Sequence, residues 1–427
     1  RVDGHDYVEN AFTRGAHLAL VQKDLSGQFP QVDLSSGEWQ SDTKLPRPPF
    51  CIRVADSLAA LQKIAAYWRS RQSLRVIGIT GSVGKSTTKE LVAEVLSQRF
   101  HTLRNTGNLN NEIGLPLTLL RLTEAHQRAV LEMGFYVTGE IDFLCQIAKP
   151  HIGVVTNIGT VHAERAGSQE TIARGKAELV KSLPSDGVAI LNYDDPWVRD
   201  MAALTNAHVL FYGLTPDSNL WASDIESLGL EGIRFCLHWG NERIHMRVPL
   251  IGRHSVHTAL RAAAVGLVEG LTWQEIGDGL THSRSQLRLV AVHTQNGALL
   301  LDDTYNASPE STLASLNLLG ELNGRRVAVL GDMYELGQYE QQGHTMVGAR
   351  AAEVCAELVA VGTLGKMIAE AAINAGLPAY AVTWVETVPE ATEILKTKLR
   401  PGDIALVKGS HGLRMDRIIN ALEVEGQ

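Results

Sequence analysis

The chain has 427 residues, enough for two or three domains that each bury a core of their own. Its 39 basic and 47 acidic side chains give a net charge of −8, and the basic residues are scattered along the chain. A nucleic-acid-binding surface usually shows a concentrated positive stripe, so this composition argues against nucleic acid as a partner.

Membrane insertion and disulfide bonding are also disfavoured. No apolar run approaches the roughly 20 residues that a membrane-spanning helix requires. The four cysteines, Cys51, Cys145, Cys236 and Cys355, stand far apart with no Cys-x-x-Cys pair. This spacing fits neither a zinc site nor a disulfide framework, so we expect a cytoplasmic protein.

Apolar residues at helical spacing appear at Asp56–Arg69, and short buried strands alternate with helices from Leu74 onward. The first series comprises strand Leu74–Thr80, helix Lys85–Ser97, and strands Ala129–Met133, Ile152–Thr156 and Val188–Leu191. The strands of a second series are Ala298–Asp302, Arg326–Leu330, Leu358–Val361, Tyr380–Val382 and Ile404–Val407.

Such alternation is typical of α/β domains, in which a largely parallel sheet carries helices on both faces. We therefore predict an α/β protein of three domains. Residues 1–72 form a small N-terminal domain, residues 73–289 a central nucleotide-binding domain, and residues 290–427 a C-terminal doubly wound, Rossmann-like domain.

The segment Gly-Ile-Thr-Gly-Ser-Val-Gly-Lys-Ser at 78–86 follows a predicted buried strand and opens a helix, which is the setting of a phosphate-binding loop. Its glycines let backbone N–H groups turn toward phosphate oxygens, and the helix N-terminus adds partial positive charge. Lys85 can reach the outer phosphates, and the Ser86 hydroxyl can bind Mg²⁺. The pattern predicts ATP or GTP binding by Gly81, Ser82, Val83, Gly84, Lys85, Ser86 and Thr87.

Two observations qualify this prediction. Ile79 occupies the place of the usual first glycine, and a glycine-rich turn without a ligand is the alternative interpretation. A Gly-Lys-Ser sequence after a buried strand disfavours that alternative. A regulatory GTPase would carry Asn-Lys-x-Asp after a strand, and no such string occurs, so that class is set aside.

Two predicted strands end in candidate cation ligands. Glu132 lies at the end of Ala129–Met133, and His162 follows Ile152–Thr156. Ligands of open α/β sheets bind outside the carboxyl ends of the strands, so these side chains are expected to meet beside the phosphate loop. Taken alone, Glu132 also fits a solvated glutamate at the end of a strand, and His162 also fits a packed or surface histidine.

Lys176 lies in the predicted helix Thr171–Leu183, on the stripe formed by Ile172, Leu179 and Leu183. A lysine on such a stripe normally extends to water, and this interpretation stays open. If Lys176 faces a metal site, the cation would repel its ammonium group. The cost is about 4 kcal/mol per pair of unit charges at ~4 Å and an effective permittivity near 20. Carbamylation by CO₂ would replace that repulsion with attraction, and we state it as a hypothesis.

These residues, in this order, resemble the Mur ligase family, which also includes folylpolyglutamate synthase. The shared pattern is Thr-Gly-x-x-Gly-Lys-[Ser/Thr], a strand-end Glu, an Asn-Ile-x-x-x-His segment and a downstream helical Lys. Within the family, the chain is most similar to the type that adds D-alanyl-D-alanine. The segments that carry this closer resemblance are Arg1–Asp6, Asn108–Pro116, Leu301–Pro309, Leu330–Gly337 and Val407–Ser410.

The resemblance covers essentially the whole chain and implies a reaction. ATP phosphorylates the terminal carboxylate of UDP-N-acetylmuramoyl-tripeptide, and the amine of D-alanyl-D-alanine attacks the acyl phosphate to form an amide of a peptidoglycan precursor. Two Mg²⁺ ions and a monomeric enzyme are expected. The resemblance implies catalytic roles for Lys85, Glu132, His162 and a carbamylated Lys176. It implies metal binding by Ser86, Glu132 and His162.

Further roles follow from the same resemblance. Asn110 and Asn111 face the phosphates, Arg288 lies near them, and Asp303 contacts the ribose. The cleft is lined by Tyr305, Asn306, Ser308 and Lys408. From the residues alone, Asp303 also fits the solvated end of a strand, and the Asp-Asp pair after an apolar strand also fits a metal-binding aspartate of the Walker B kind.

The chain departs from the family pattern at the segment Gly-x-His-Asn-x-x-Asn-Ala-Leu, where Ser255 and Thr258 replace the asparagines. Recognition of adenine is therefore left open. The chain starts at Arg1, and the resemblance implies that most of the uridine-binding part precedes it, so 1–72 is expected to be incomplete. A Mur-type ligase for a single amino acid and a non-catalytic nucleotide-binding module remain alternatives. The third residue of the tripeptide, lysine or diaminopimelate, is open as well.

Overall fold

The computed structural model describes residues 3–37, 44–160, 163–281 and 290–423. Its strands form three separate sheets of three, nine and six strands, and helices pack against all of them. The predicted α/β fold class is confirmed. In the part of the chain that is described, no helix is long and apolar enough to cross a membrane.

The first sheet is parallel, with strand order β1-β3-β2. The elements of this unit are α1 (Val8–Thr13), β1 (Leu18–Val21), β2 (Gln31–Asp33), β3 (Phe50–Arg53) and α2 (Ser57–Ser70). The Asp56 carboxylate accepts hydrogen bonds from the N–H groups of Leu58 and Ala59, which starts α2 one residue later than the predicted segment.

The central sheet has the order β12-β11-β10-β9-β8-β7-β4-β6-β5. Its strands are β4 (Arg75–Thr80), β5 (Thr102–Arg104), β6 (Arg128–Glu132), β7 (Ile152–Val155), β8 (Val188–Asn192), β9 (His208–Gly213), β10 (Leu220–Ser227), β11 (Ile233–Trp239) and β12 (Glu242–Val248). The helices between and after these strands are α3 (Lys85–Ser97), α4 (Gly114–Leu119), α5 (Glu140–Ala148), α6 (Ala163–Ala166), α7 (Gln169–Lys181), α8 (Pro196–Arg199), α9 (Val256–Val268) and α10 (Trp273–Thr281).

Three adjacent parallel strands, β7, β4 and β6, position the residues of interest. Ile79 of β4 pairs with Glu132 of β6, and Thr80 pairs with Val155 of β7. Because parallel strands end at the same edge of a sheet, the segments that follow all three emerge together. Apolar layers cover both faces, with α3, α9 and α10 on one side and α5 and α7 on the other.

The central sheet is largely parallel, as predicted, and its antiparallel part lies at one edge. Strands β10, β11 and β12 pair antiparallel. Along β10, buried and more exposed residues largely alternate, as expected for a sheet with one wetter face. Such a strand contains no continuous apolar run, so its sequence does not predict a buried strand.

The third sheet has the order β13-β14-β18-β15-β16-β17, parallel except for β13. Its elements are β13 (Val290–His293), β14 (Leu299–Asp303), α11 (Pro309–Glu321), β15 (Arg325–Gly331), α12 (Glu340–Val354), β16 (Glu357–Val361), α13 (Gly365–Asn374), β17 (Val382–Val385), α14 (Val388–Lys398), β18 (Asp403–Lys408) and α15 (Asp416–Leu422). The predicted strand Tyr380–Val382 is wrong in its first two residues. Ala379–Ala381 forms a 3₁₀ turn after Pro378, and the strand begins at Val382.

Candidate active site

The loop between β4 and α3 has the shape that its glycines require. Gly81 and Gly84 have positive φ angles of 143° and 82°. A Cβ atom on Gly81 would overlap the Thr156 hydroxyl, which itself donates a 2.7 Å hydrogen bond to the Val83 carbonyl. The Asn157 side chain accepts from the Val83 N–H at 2.9 Å. The segment after β7 therefore supports the loop from behind.

Positive groups converge on this loop. The Lys85 ammonium donates to the Gly81 carbonyl at 2.8 Å and to the Ser82 carbonyl at 3.2 Å. Helix α3 starts after Gly84, which has no side chain to cap it. The first N–H groups of a helix have no partner within the helix and can bind a ligand, and the helix dipole favours an anionic one.

Glu132 is a buried carboxylate, only 2% exposed, at the end of β6. One of its oxygens accepts a 2.7 Å hydrogen bond from the Ser86 hydroxyl, and the other accepts from the Asn110 amide at 2.9 Å. The Asn105 side chain accepts from the Glu132 backbone N–H at 3.0 Å. Two protein oxygens, one from a hydroxyl and one from a carboxylate, are therefore held together beside the loop.

This pair fits Mg²⁺, which prefers oxygen ligands and keeps several positions for phosphate oxygens and water. Among the described residues, no group of three or more His, Cys, Asp or Glu side chains forms a metal cluster of its own. The site suits an ion shared with a nucleotide better than an ion enclosed by the protein.

Lys176 is 1% exposed, so the alternative in which it extends to water is wrong. Its ammonium donates to the Gly81 carbonyl at 3.0 Å and lies 4.8 Å from the centroid of the Phe135 ring. A Cβ atom on Gly175 would overlap that ring, so glycine lets Phe135 pack here. Burial lowers the pKa of Lys176 well below its usual value, and the positive charge of Lys85 lowers this pKa further.

The segment before α4 contributes two asparagines with different local roles. Asn110 holds Glu132, as described above, and its backbone carbonyl accepts from the Gly134 N–H at 2.8 Å. The side-chain oxygen of Asn111 accepts from the Gly114 N–H at 2.9 Å, at the start of α4. Both asparagines line the cleft described below.

The C-terminal domain adds a buried ion pair at the ends of β14 and β18. The Lys408 ammonium lies 2.7 Å from the Asp303 carboxylate and donates to the Asn306 carbonyl at 2.8 Å. The Ser315 hydroxyl donates to Asp303 at 2.6 Å. Ser308 caps α11 by accepting from the Ser311 N–H. Parallel register places Asp303 opposite Lys408, which explains the pair.

The central and C-terminal domains together line a cleft of about 370 Å³ beside the phosphate loop. The central side includes the phosphate loop, Glu132 and the segment 254–258, while the C-terminal side includes Asp303, Tyr305 and Lys408. Glu310 of α11 crosses between the domains and accepts from the Thr160 N–H at 2.9 Å.

The structure thus brings most of the predicted site residues together. Lys176 lies against the loop, and those that line the cleft include Ser82, Val83, Gly84, Lys85, Thr87, Asn110, Asn111, Glu132, Asp303, Tyr305, Asn306, Ser308 and Lys408. His162 and Arg288 lie outside the described residues, so their predicted roles stay predictions. Sequence reasoning missed Asn105 and Phe135, which position Glu132 and Lys176, because nothing in their local pattern marks them.

Comparison with known proteins decides the family. Residues 79–266 match the family model of the Mur ligase middle domain, and residues 287–411 match that described as "Mur ligase, glutamate ligase domain". The UDP-N-acetylmuramoyl-tripeptide–D-alanyl-D-alanine ligase of Synechocystis sp. is 36% identical over an alignment of 430 residues that covers 99% of this chain and 87% of that protein. The chain belongs to the Mur ligase family.

Solved structures agree with this assignment. A crystal structure of MurF from Acinetobacter baumannii matches with a TM-score of 0.84 and 32% identity, over 98% of this chain and 88% of that one. MurF from Thermotoga maritima in complex with ADP matches with a TM-score of 0.82 and 25% identity, over 99% of this chain and 91% of that one. The resemblance to the Mur ligase family predicted from the motifs is confirmed, and the similar proteins named here are of the MurF type that the motifs indicated.

Proposed function

We propose that this Mur ligase joins D-alanyl-D-alanine to UDP-N-acetylmuramoyl-tripeptide, with ATP converted to ADP and phosphate. The observation that carries the proposal is the convergence of the phosphate loop, the Ser86–Glu132 pair and the buried Lys176 on a cleft shared by two domains. The substrates are those in the printed names of the relatives, and ADP is the ligand of the Thermotoga maritima structure.

The reaction proceeds in two steps. A carboxylate oxygen of the tripeptide attacks the γ-phosphorus of ATP, and the bond from that phosphorus to the ADP oxygen breaks. The amine of D-alanyl-D-alanine then attacks the carbonyl carbon of the acyl phosphate. The bond from this carbon to the phosphate oxygen breaks, phosphate leaves with the electron pair, and the departing phosphate takes up the proton that the amine loses.

The chain contributes positioning and positive charge. Backbone N–H groups of the loop and of the first turn of α3 hold the phosphates, and Lys85 balances the charge of the outer ones. When bound, Mg²⁺ screens the repulsion among carboxylate, transferring phosphate and ADP. Ser86 and Glu132 would hold one ion, and the family resemblance assigns His162 to a second.

Lys176 is proposed to be carbamylated. A neutral amine reacts with CO₂ to give a carbamate anion and a proton, and the lowered pKa of Lys176 increases the neutral fraction near pH 7. The carbamate of Lys176 would place a negative charge between Lys85 and the cation site, whereas the unmodified ammonium of Lys176 is repelled by Lys85. An unmodified lysine bonded to the Gly81 carbonyl is the alternative.

Contact between the domains protects the activated intermediate. Glu310 reaches Thr160, and the backbone N–H of Glu164 donates to the Glu335 carbonyl at 3.2 Å. Closing the C-terminal domain onto the central one excludes water and holds the amine near the carbonyl carbon. Within this proposal, the domains are 1–72, 73–289 and 290–427, and the enzyme is a cytoplasmic monomer.

The direct test measures phosphate released from ATP in the presence of UDP-N-acetylmuramoyl-tripeptide, with and without D-alanyl-D-alanine. We expect release that needs both substrates, together with an amide product of the corresponding mass. Parallel reactions with lysine-containing and diaminopimelate-containing tripeptides establish the third residue. Equal release with a single amino acid as the amine would assign the chain to another type of Mur ligase, and no turnover at all would favour a binding module.

Glu132→Gln keeps the shape of the side chain but removes its charge. We expect the Mg²⁺ concentration for half-maximal activity to rise by roughly tenfold, because the ion loses one charged ligand. A tenfold change corresponds to about 1.4 kcal/mol of binding free energy. Magnesium titrations of wild type and variant measure this shift. Glu94→Gln is the matched control, because Glu94 also belongs to the central domain but pairs with Arg104. An unchanged Mg²⁺ requirement in Glu132→Gln would remove Glu132 from the cation site.

A further inference from the structure

Arg261 of α9 is a buried guanidinium, 4% exposed, without an ion-pair partner among the described residues. One terminal nitrogen donates to the Thr258 hydroxyl at 2.8 Å, and the other donates to the Tyr212 hydroxyl at 3.3 Å. Its Nε is buried and makes no hydrogen bond in the described part of the chain. Burying a cation with an unused donor and no counter-charge is costly, so this arrangement calls for an explanation.

The same guanidinium lies directly against the phosphate loop. A Cβ atom on Gly84 would lie 3.2 Å from the terminal nitrogen of Arg261 that bonds Thr258. Gly84 immediately precedes Lys85 and α3. The charge of Arg261 is thus held behind the last glycine of the loop, on the side formed by α9.

Nearby carboxylates are already engaged elsewhere. Asp194 pairs with His257 at 2.8 Å, and Asp195 accepts from the Ile158 N–H at 2.8 Å. Glu132 accepts from the Ser86 hydroxyl and the Asn110 amide, and the Lys85 ammonium also contacts the loop. None of these carboxylates pairs with Arg261, so its positive charge is available to a polyanion bound at the loop.

We propose that Arg261 is a positioning residue for the nucleotide phosphates, which supply the negative charge that it lacks in the protein. Its charge acts across Gly84 and increases the affinity of the loop for phosphate, at a cost in the stability of the ligand-free protein. This inference rests on the proposed binding of ATP at the loop. The other buried residues of α9 are mainly small or apolar, so Arg261 differs from them in carrying a charge.

Arg69 provides the matched control. It is also buried, at 5% exposed, but its guanidinium donates to three backbone carbonyls, those of Ala148, Gln72 and Leu74. These bonds connect α2 to the central domain. Arg69 is therefore a structural arginine, and it lies in a different element from the loop.

The experiment compares wild type, Arg261→Met and Arg69→Met by calorimetric titration with ATP and with inorganic tripolyphosphate, and by thermal unfolding without ligand. We expect Arg261→Met to bind both ligands roughly tenfold more weakly, as the loss of one nearby charge predicts. Its Tm without ligand should be equal to or higher than that of wild type, because an unpaired buried charge is removed. Arg69→Met should lower Tm and leave both affinities unchanged.

Three results would overturn the inference. Affinities of Arg261→Met equal to wild type would show that the charge does not act on the phosphates. Weaker binding of ATP alone, with tripolyphosphate unaffected, would place the effect on the base through Thr258. A Tm that falls as in Arg69→Met would make Arg261 structural. Arg261→Gln replaces Arg261→Met if the latter does not fold. If the wild type itself binds neither ligand, the proposed function fails and takes this inference with it.

Discussion

Lys176→Ala is expected to lower kcat by roughly a thousandfold, the upper range for removing one group that stabilises charge in an active site. The lysine is buried against the loop that holds the reacting phosphates, and its ammonium contacts the Gly81 carbonyl. If it is carbamylated, alanine removes both the anion and the side chain that carries it. Phosphate release at saturating substrates measures the loss.

The control for this variant is Lys181→Ala, on the same helix but exposed, which should retain the activity of the wild type. Depleting CO₂ and bicarbonate should slow the wild type, and a small carboxylate such as acetate should restore part of the activity of Lys176→Ala. Insensitivity of the wild type to CO₂ depletion, together with no rescue, would leave Lys176 as an unmodified buried lysine.

Lys85→Met is expected to lower kcat by roughly two to three orders of magnitude. Methionine preserves much of the apolar stem, but it cannot donate to the loop carbonyls that Lys85 now contacts or balance the charge of the outer phosphates. Fixed-time assays of phosphate release measure the loss of turnover, and direct titration with ATP measures the loss of binding.

Lys63→Met is the control for this second variant, since Lys63 is an exposed lysine of α2. Lys85→Arg should retain more activity than Lys85→Met, because it keeps the charge with a different shape. Near-normal turnover in Lys85→Met would contradict the assignment of this loop as the triphosphate site.

Local patterns predicted the parts of the site that depend on short stretches of chain. The helix predicted at Lys85–Ser97 has those bounds in the structure, since the glycines before it and the apolar face within it are both local signals. Glu132 was placed correctly because carboxyl ends of parallel strands share one edge. Lys176 stands out in the sequence because it interrupts an apolar stripe, and the helix face that carries this stripe is buried in the structure.

Contacts between residues distant in sequence were not predictable in this way. The pairing of Asp303 with Lys408 depends on the register of two strands about a hundred residues apart. The arrangement of Arg261 behind Gly84 depends on how α9 packs against α3. An arginine in an alanine-rich helix has no local signature of burial, because long side chains usually extend to water.

The central claim is that ATP activates a substrate carboxylate as an acyl phosphate in this cleft. Tripeptide labelled with ¹⁸O in both oxygens of its terminal carboxylate tests it directly, with mass spectrometry of the released phosphate and of the amide. We predict one ¹⁸O atom in each phosphate and one in each new amide, with ADP as the other product. Unlabelled phosphate accompanying the amide product, or AMP and pyrophosphate in place of ADP, would contradict the account.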